Sequence, residues 1–353
     1  MKAAVFQGLR DIRCTSAPAP EISAPDQLVV AVEATSICGS DLFLYDGPFD
    51  AALVPGKSIT GHEIVGRIVD VGADVTRFRK GDRITAPFTV SCHHCAMCSA
   101  GQTALCETTH GAVYGFGLAA GDLGGSHAEA MLIHRADENA LLLPEDLDAA
   151  DALTLSCNLP SALIGVEASA LGAGESVAIV GCGPTALMAL DIVLLRDPAK
   201  VVVLDRLGYR LALASVKGAI SVDIDSEGWL ERALAETNGR GFDRVIEVVG
   251  SPESLQTAFS LVRPGGTVSG LGVFSAPEMT INPSGLSLRN ISVCMNGAAN
   301  VATVIERSLE LLRNGKVSPR EYFTHTFALD DIDQAFSLFS NRTDDVVKVL
   351  VRP

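Results

Sequence analysis

The chain has 353 residues, 48% of them hydrophobic, and a formal net charge of −15. That length suits about two domains of an ordinary globular α/β kind, each able to bury its own core. So acidic a surface argues against nucleic acid or an anionic membrane as partner, and no uninterrupted apolar run reaches the roughly 20 residues of a bilayer span.

The opening stretch, MKAAVFQGLRDIRC, lacks the basic and then apolar segments of a secretory leader. The expected setting is therefore the cytoplasm, where thiols stay reduced. An odd count of nine cysteines also fits a disulfide framework poorly.

The first chemistry-bearing segments are SICGSDLFLYDG, with Cys38, Ser40, Asp41 and Phe43, and TGHEIVG, with His62 and Glu63. Taken singly, Cys38 reads as a small buried hydrophobe and His62 as an interior histidine. Together with Cys157 in LTLSCNLPSAL they offer a Cys2His set, which suits a zinc ion that keeps one position open for a substrate. Glu63 is then a neighbour of the metal or a transient ligand. Asp41 is the carboxylate that would take the second ring N–H of His62, or else a turn-forming residue. Ser40 has a hydroxyl suited to passing on a proton, and it also fits the N-cap of a helix.

Next comes SCHHCAMCSAGQTALCE, in which Cys92, Cys95, Cys98 and Cys106 follow C-x2-C-x2-C-x7-C. Such spacing turns four thiolates onto one tetrahedral Zn²⁺ at about 2.3 Å, leaving no room for a substrate, so the site is structural. A reduced, unliganded cluster is the alternative. A dithiol redox pair wants a helix start rather than these polar flanks. An iron–sulfur run usually carries Pro after its last Cys, where Glu107 stands here. His93 and His94 read as solvated loop residues or as substitute ligands.

From Ser176 the pattern changes to SVAIVGCGPTALMALDIVLL and then VVVLD. A buried strand, a G-x-G-x-x-A turn, an apolar helix and a second strand ending at Asp205 form a dinucleotide-binding signature. Gly181 permits the tight turn, Gly183 and Pro184 face the pyrophosphate, and Ala186 takes the third glycine's place. Asp205 would accept from ribose hydroxyls and repel a 2′-phosphate, favouring NAD, whereas Arg206 is the residue that would suit NADP. The later stretches FDRVIEVVGSPESLQTAFSLVRPGGTVSGLGV and NVATVIERSLELLRNGK read as further α/β units and core helix.

These motifs, CGSD at 38–41, GHE at 61–63, the four-cysteine loop, Cys157, GCGPTA and Asp205, make the chain resemble the zinc-containing medium-chain alcohol dehydrogenases along nearly its whole length. The stretch ALCETTHGAVYGFGLAAGDLGGSHAE looks like bacterial formaldehyde-dehydrogenase-like members. The resemblance implies a GroES-like, mostly-β catalytic domain from residues 1–155 and 295–353, with a Rossmann NAD-binding domain at 156–294 between them. It implies two Zn²⁺ per chain, one catalytic and one structural, with reversible hydride transfer between an alcohol and NAD in the cleft. A homotetramer is favoured over a dimer. By family position, Ser161 approaches the nicotinamide and Phe88 lines the substrate pocket.

One position departs from the pattern. Many members carry a His three residues after the relay serine, and here it is Phe43. With Phe49, Phe88 and Tyr114 it hints at a bulky or aromatic primary alcohol. Two rivals stand beside this reading: a zinc-free quinone or enone reductase on the same fold, and a non-catalytic zinc-binding interaction protein.

Overall fold

Strand Leu28–Ile37 organises the first half of the molecule. Leu28, Val30 and Val32 alternate onto one face, where they meet Ile64 and Ile68 of the next strand in a shared core, as a period of two requires. This strand lies inside a seven-stranded sheet, ordered Phe323–Ala328, Lys348–Arg352, Leu28–Ile37, Ile64–Val71, Arg83–Thr85 and Leu141–Leu142, with Ala130–Ile133 also on Leu28–Ile37. Pairing is antiparallel throughout, except between Phe323–Ala328 and Lys348–Arg352. A separate hairpin joins Lys2–Gly8 to Asp11–Ser16. The computed structural model describes residues 1–47, 52–274, 276 and 278–353; Phe49, one of the expected pocket residues, lies outside them.

The ladder register positions the chemistry. Thr35 pairs with Ile64, and Ile37 pairs with Val349. The end of one strand and the starts of its two neighbours therefore converge, bringing residues 36–38, 62–63 and 348 together from distant parts of the sequence.

The second unit is a six-stranded, wholly parallel sheet. In chain order its strands are Ser176–Val180, Lys200–Asp205, Ile220–Asp223, Phe242–Glu247, Val262–Gly270 and Ser292–Met295; across the sheet they run third, second, first, fourth, fifth, sixth. That is the doubly wound order of a dinucleotide-binding fold. All five residues of Ser176–Val180 are buried, the continuous apolar run expected of a parallel strand covered on both faces.

The two units comprise Met1–Pro160 with Asn300–Pro353, and Ser161–Ala299. The first boundary falls five residues beyond the expected 155, as the first unit extends through Cys157 and Asn158 into the start of helix Asn158–Ala168, and the second falls five beyond 294. Among the described residues no single helix is long and apolar enough to cross a membrane.

Candidate metal centres and cofactor site

Cys92, Cys95, Cys98 and Cys106 bring their sulfurs within 4.8 Å of one another. Cys95 Sγ and Cys106 Sγ are 4.0 Å apart, far beyond a disulfide and close to the edge of a tetrahedron of sulfurs about 2.3 Å from a central ion. The loop also feeds donors to the sulfurs. Cys92 Sγ accepts from Thr108 Oγ1 at 3.2 Å and from the Cys95 amide at 3.3 Å, and Cys106 Sγ accepts from the Cys92 amide at 3.3 Å. The Thr108 hydroxyl leads in holding the Cys92 thiol down to about 5, whereas burial pushes Cys98 up to about 12. The donor set fits zinc.

Cys38, His62, Glu63 and Cys157 form a second set, again with donor atoms within 4.8 Å. Cys38 and Cys157 place their sulfurs 3.9 Å apart. Asp41, in the first turn of helix Asp41–Tyr45, grips two of these residues at once: Oδ2 accepts from the Cys38 amide at 2.8 Å, and Oδ1 lies 3.1 Å from His62 Nδ1. With Nδ1–H given to Asp41, Nε2 is the ring nitrogen left to bind a metal. Ser40 occupies the N-cap without using its side chain as a cap; its Oγ lies 3.4 Å from His62 Nε2 instead.

Three further groups shape this centre, none of them marked by a motif in the sequence. Ser156 Oγ accepts from the Ile64 amide at 3.0 Å, which fixes the neighbouring Cys157 beside the strand that follows Glu63. Asn158 Nδ2 donates to Cys38 Sγ at 3.5 Å. Lys348, fully buried, pairs with Glu63 Oε2 at 2.7 Å, and Ser36 Oγ donates to the same oxygen. Glu63 Oε1 is left buried with no hydrogen-bond partner. A buried carboxylate oxygen without a partner is costly, and one beside two thiols and an imidazole fits a cation.

The electrostatics agree. Contact with Cys157 pulls the Cys38 thiol well below its usual range, with help from His62 and against burial. Burial opposes a charge on His62, but Asp41 and Cys38 outweigh it and raise the imidazole well above its ordinary value. Cys157 is pushed up, first by Cys38 and then by burial. Burial lifts Glu63 to about 7 against the pull of Lys348. A metal bound here would have to displace protons from Cys157 and His62.

Phe88 and Phe116 pack edge-to-face with His62, with centroids 5.9 and 5.4 Å away and interplanar angles of 74° and 65°. Phe43 is partly buried on helix Asp41–Tyr45. Tyr114 does not join them. Its ring is 1% exposed within the core around Leu28, Ile64 and Ile84, and its hydroxyl accepts from the His134 amide at 2.9 Å. The expectation that it lines a pocket is corrected: its ring is spent on packing.

In the parallel-sheet unit, Gly181 has φ +102°, and a Cβ there would sit 2.8 Å from Val249 Cγ2, so only glycine fits. At Gly183, the N-cap of helix Pro184–Leu194, a Cβ would meet nothing nearer than Arg210 Nη1 at 3.6 Å. The protein's own packing does not demand glycine there, but a pyrophosphate approaching the helix N-terminus would. Asp205 closes its strand with Oδ2 accepting from the Cys182 amide at 2.6 Å and Oδ1 from the Arg206 and Leu207 amides at 2.8 and 3.0 Å. Its carboxylate thereby ties the glycine turn to the second strand, and the residues present fit a dinucleotide. Arg206 is exposed, with Nε 3.7 Å from Asp225 Oδ1. Ser161 is buried on helix Asn158–Ala168.

Comparison with known proteins agrees with this arrangement. Family models match for the alcohol dehydrogenase GroES-like domain over residues 24–145 and for zinc-binding dehydrogenase over residues 184–314. The chain is 32% identical over 355 aligned residues to the "probable zinc-binding alcohol dehydrogenase" of Mycobacterium tuberculosis, an alignment covering 100% of this chain and 89% of that one. An alcohol dehydrogenase from Thermus sp. ATN1 shares the fold with a TM-score of 0.93 at 34% identity, over 100% of this chain and 99% of that one. A protein described as a zinc-binding dehydrogenase, from Sinorhizobium meliloti 1021 and solved bound to NADP, has a TM-score of 0.85 at 30% identity over 100% and 99% of the two chains. Sequence identity sustained over the whole length, on a GroES-like and Rossmann architecture, establishes that the chain belongs to the zinc-containing medium-chain alcohol dehydrogenase family.

Proposed function

We propose that the protein catalyses reversible hydride transfer between an alcohol and NAD, giving an aldehyde or ketone, with one zinc held by Cys38, His62 and Cys157 and a second in the four-cysteine loop. The observation that carries this reading is the convergence of Cys38, His62, Glu63 and Cys157 within 4.8 Å around a carboxylate oxygen that has no hydrogen-bond partner. When bound, zinc polarises the substrate oxygen and the nicotinamide exchanges the hydride.

The chain's own residues do the rest. Asp41 fixes the tautomer and orientation of His62. Ser40, beside that imidazole, takes the proton from the alcohol. No imidazole stands at position 43 to receive it next, so the onward path would be water reached past the cofactor ribose, or another base. The phenyl rings of Phe88 and Phe116 beside His62 supply apolar surface suited to a bulky or aromatic primary alcohol. Asp205 at the end of the second strand supports NAD, and Ser161 is assigned to the nicotinamide side. NADP in the Sinorhizobium relative keeps Arg206 as the residue that would serve the phosphorylated cofactor. A homotetramer in the cytoplasm fits the family resemblance and the free state of all nine cysteines.

The test is reduction of NAD and of NADP by zinc-loaded protein with benzylic, straight-chain primary and secondary alcohols. Faster NADH formation with benzylic alcohols is expected. No reduction of either cofactor by any alcohol, with an enone or quinone consuming the reduced cofactor instead, would overturn the reading.

A further inference from the structure

Glu247 ends the fourth parallel strand, Phe242–Glu247, and is fully buried. It pairs in register with Val180, the last residue of the first strand. The strand order reverses between those two strands, and open parallel sheets bind their ligands outside the carboxyl ends of the strands at that point. A glutamate in so apolar a position needs a reason.

Its Oε1 has three partners. It accepts from the Val249 amide at 2.7 Å, the Gly250 amide at 2.8 Å and Ser254 Oγ at 2.7 Å. Ser254 and Ser251 form a reciprocal capping box that opens helix Pro252–Leu261. One carboxylate oxygen thus fixes both the turn after the strand and the start of the next helix. Oε2 is buried with no hydrogen-bond partner.

The turn it holds is in tight contact with the glycine turn. Val249, half exposed, lies so close to Gly181 that a Cβ on the glycine would come within 2.8 Å of its Cγ2. Gly250 has φ +83°, and a Cβ there would sit 2.3 Å from the Val273 carbonyl oxygen; one on Gly272 would sit 2.2 Å from the Gly250 amide nitrogen. The backbone segments around 181, 250 and 272 are packed with no slack, so a shift of the turn passes directly to its neighbours.

We infer that Glu247 is a positioning residue for the dinucleotide: given the cofactor site proposed above, its carboxylate holds the Val249–Gly250 turn against Gly181, so that the cofactor meets a preformed surface. It touches no reacting atom. Its effect is on binding, through preorganisation.

NADH titration, followed by quenching of Trp229, the one tryptophan in the chain, separates this role from a merely structural one. Glu247→Ala should bind NADH about tenfold more weakly, the scale of one lost hydrogen bond to a charged group. Zinc content should be unchanged, as should kcat at saturating NAD. Glu247→Gln should stay within about threefold of wild type, because its amide oxygen replaces Oε1 and its NH2 takes the place of the unpartnered Oε2. Asp243→Asn, near the opposite end of the same strand, should lose stability and bind NADH as wild type does.

Wild-type affinity in Glu247→Ala would overturn the role of Glu247 alone, and so would equal weakening in Asp243→Asn. A wild-type protein that binds no NADH would overturn the cofactor reading itself, and the role of Glu247 with it. Should Glu247→Ala not fold, Ser254→Ala removes one of the three donors, and about threefold weaker binding is expected; unchanged binding would contradict the role.

Discussion

Glu63 and Lys348 form an ion pair with both side chains 0% exposed, Nζ to Oε2 at 2.7 Å. They stand on opposite sides of strand Leu28–Ile37, brought there by two antiparallel ladders. Removing one member leaves the other charged group buried and unpaired. Lys348→Met should therefore cost about 3 to 5 kcal/mol. Adding Glu63→Gln should recover part of that loss, and urea unfolding of the two variants checks it.

Asp41 tethers two of the proposed metal ligands, Cys38 and His62. Asp41→Asn should weaken zinc at Cys38, His62 and Cys157 by about 10- to 100-fold while the four-cysteine loop keeps its metal. Zinc per chain after graded exposure to a chelator would show one ion leaving early and one late.

Cys106 joins the four-cysteine set from the far side of a seven-residue gap. Cys106→Ser should release the structural ion, lower the thermal midpoint and expose the loop to proteolysis. The protein should still retain zinc at the other set. Limited proteolysis with metal analysis reads both outcomes.

Asp243 is held far below the usual carboxylate range: burial opposes its charge, but Ser176, Arg263 and Arg240 outweigh it. A carboxylate with a depressed folded pKa stabilises the fold above its unfolded value, about 3.9, and loses that contribution as pH falls. Asp243→Asn should thus cost about 2 kcal/mol at pH 7, and the gap from wild type should close progressively below about pH 4. Thermal melts of the pair across that range measure it.

Phe43 leaves the proposed proton route without an imidazole at that position. Alcohol oxidation should then rise more steeply with pH near neutrality than in Phe43→His, whose profile should flatten. Rates with deuterated alcohol, confirming that hydride transfer is limiting, make the comparison decisive.

What could be read from the sequence was local. The four-cysteine spacing, the G-x-G-x-x-A turn and the Cys38, His62, Asp41 constellation lie in short segments whose chemistry is visible residue by residue. Lys348 was not visible, because its partner is set by ladder register across most of the chain, and a lysine opening a strand ordinarily faces water. Ser156 and Asn158 flank Cys157 but are common helix-start residues. Tyr114 differs for another reason: an aromatic residue type alone does not say whether its ring packs in the core or faces a pocket. Glu247 did leave a signal, an acid inside the apolar run VIEVVG, and a buried acid in such a run calls for a named partner.

The most direct test of a zinc-dependent alcohol dehydrogenase is zinc per chain measured together with NAD reduction, in wild type and in Cys38→Ser, on protein purified without chelator. Two zincs with NADH formation in wild type, and one zinc without it in the variant, is the predicted result. One zinc in both proteins, or undiminished NAD reduction by Cys38→Ser, would contradict a catalytic metal at Cys38, His62 and Cys157.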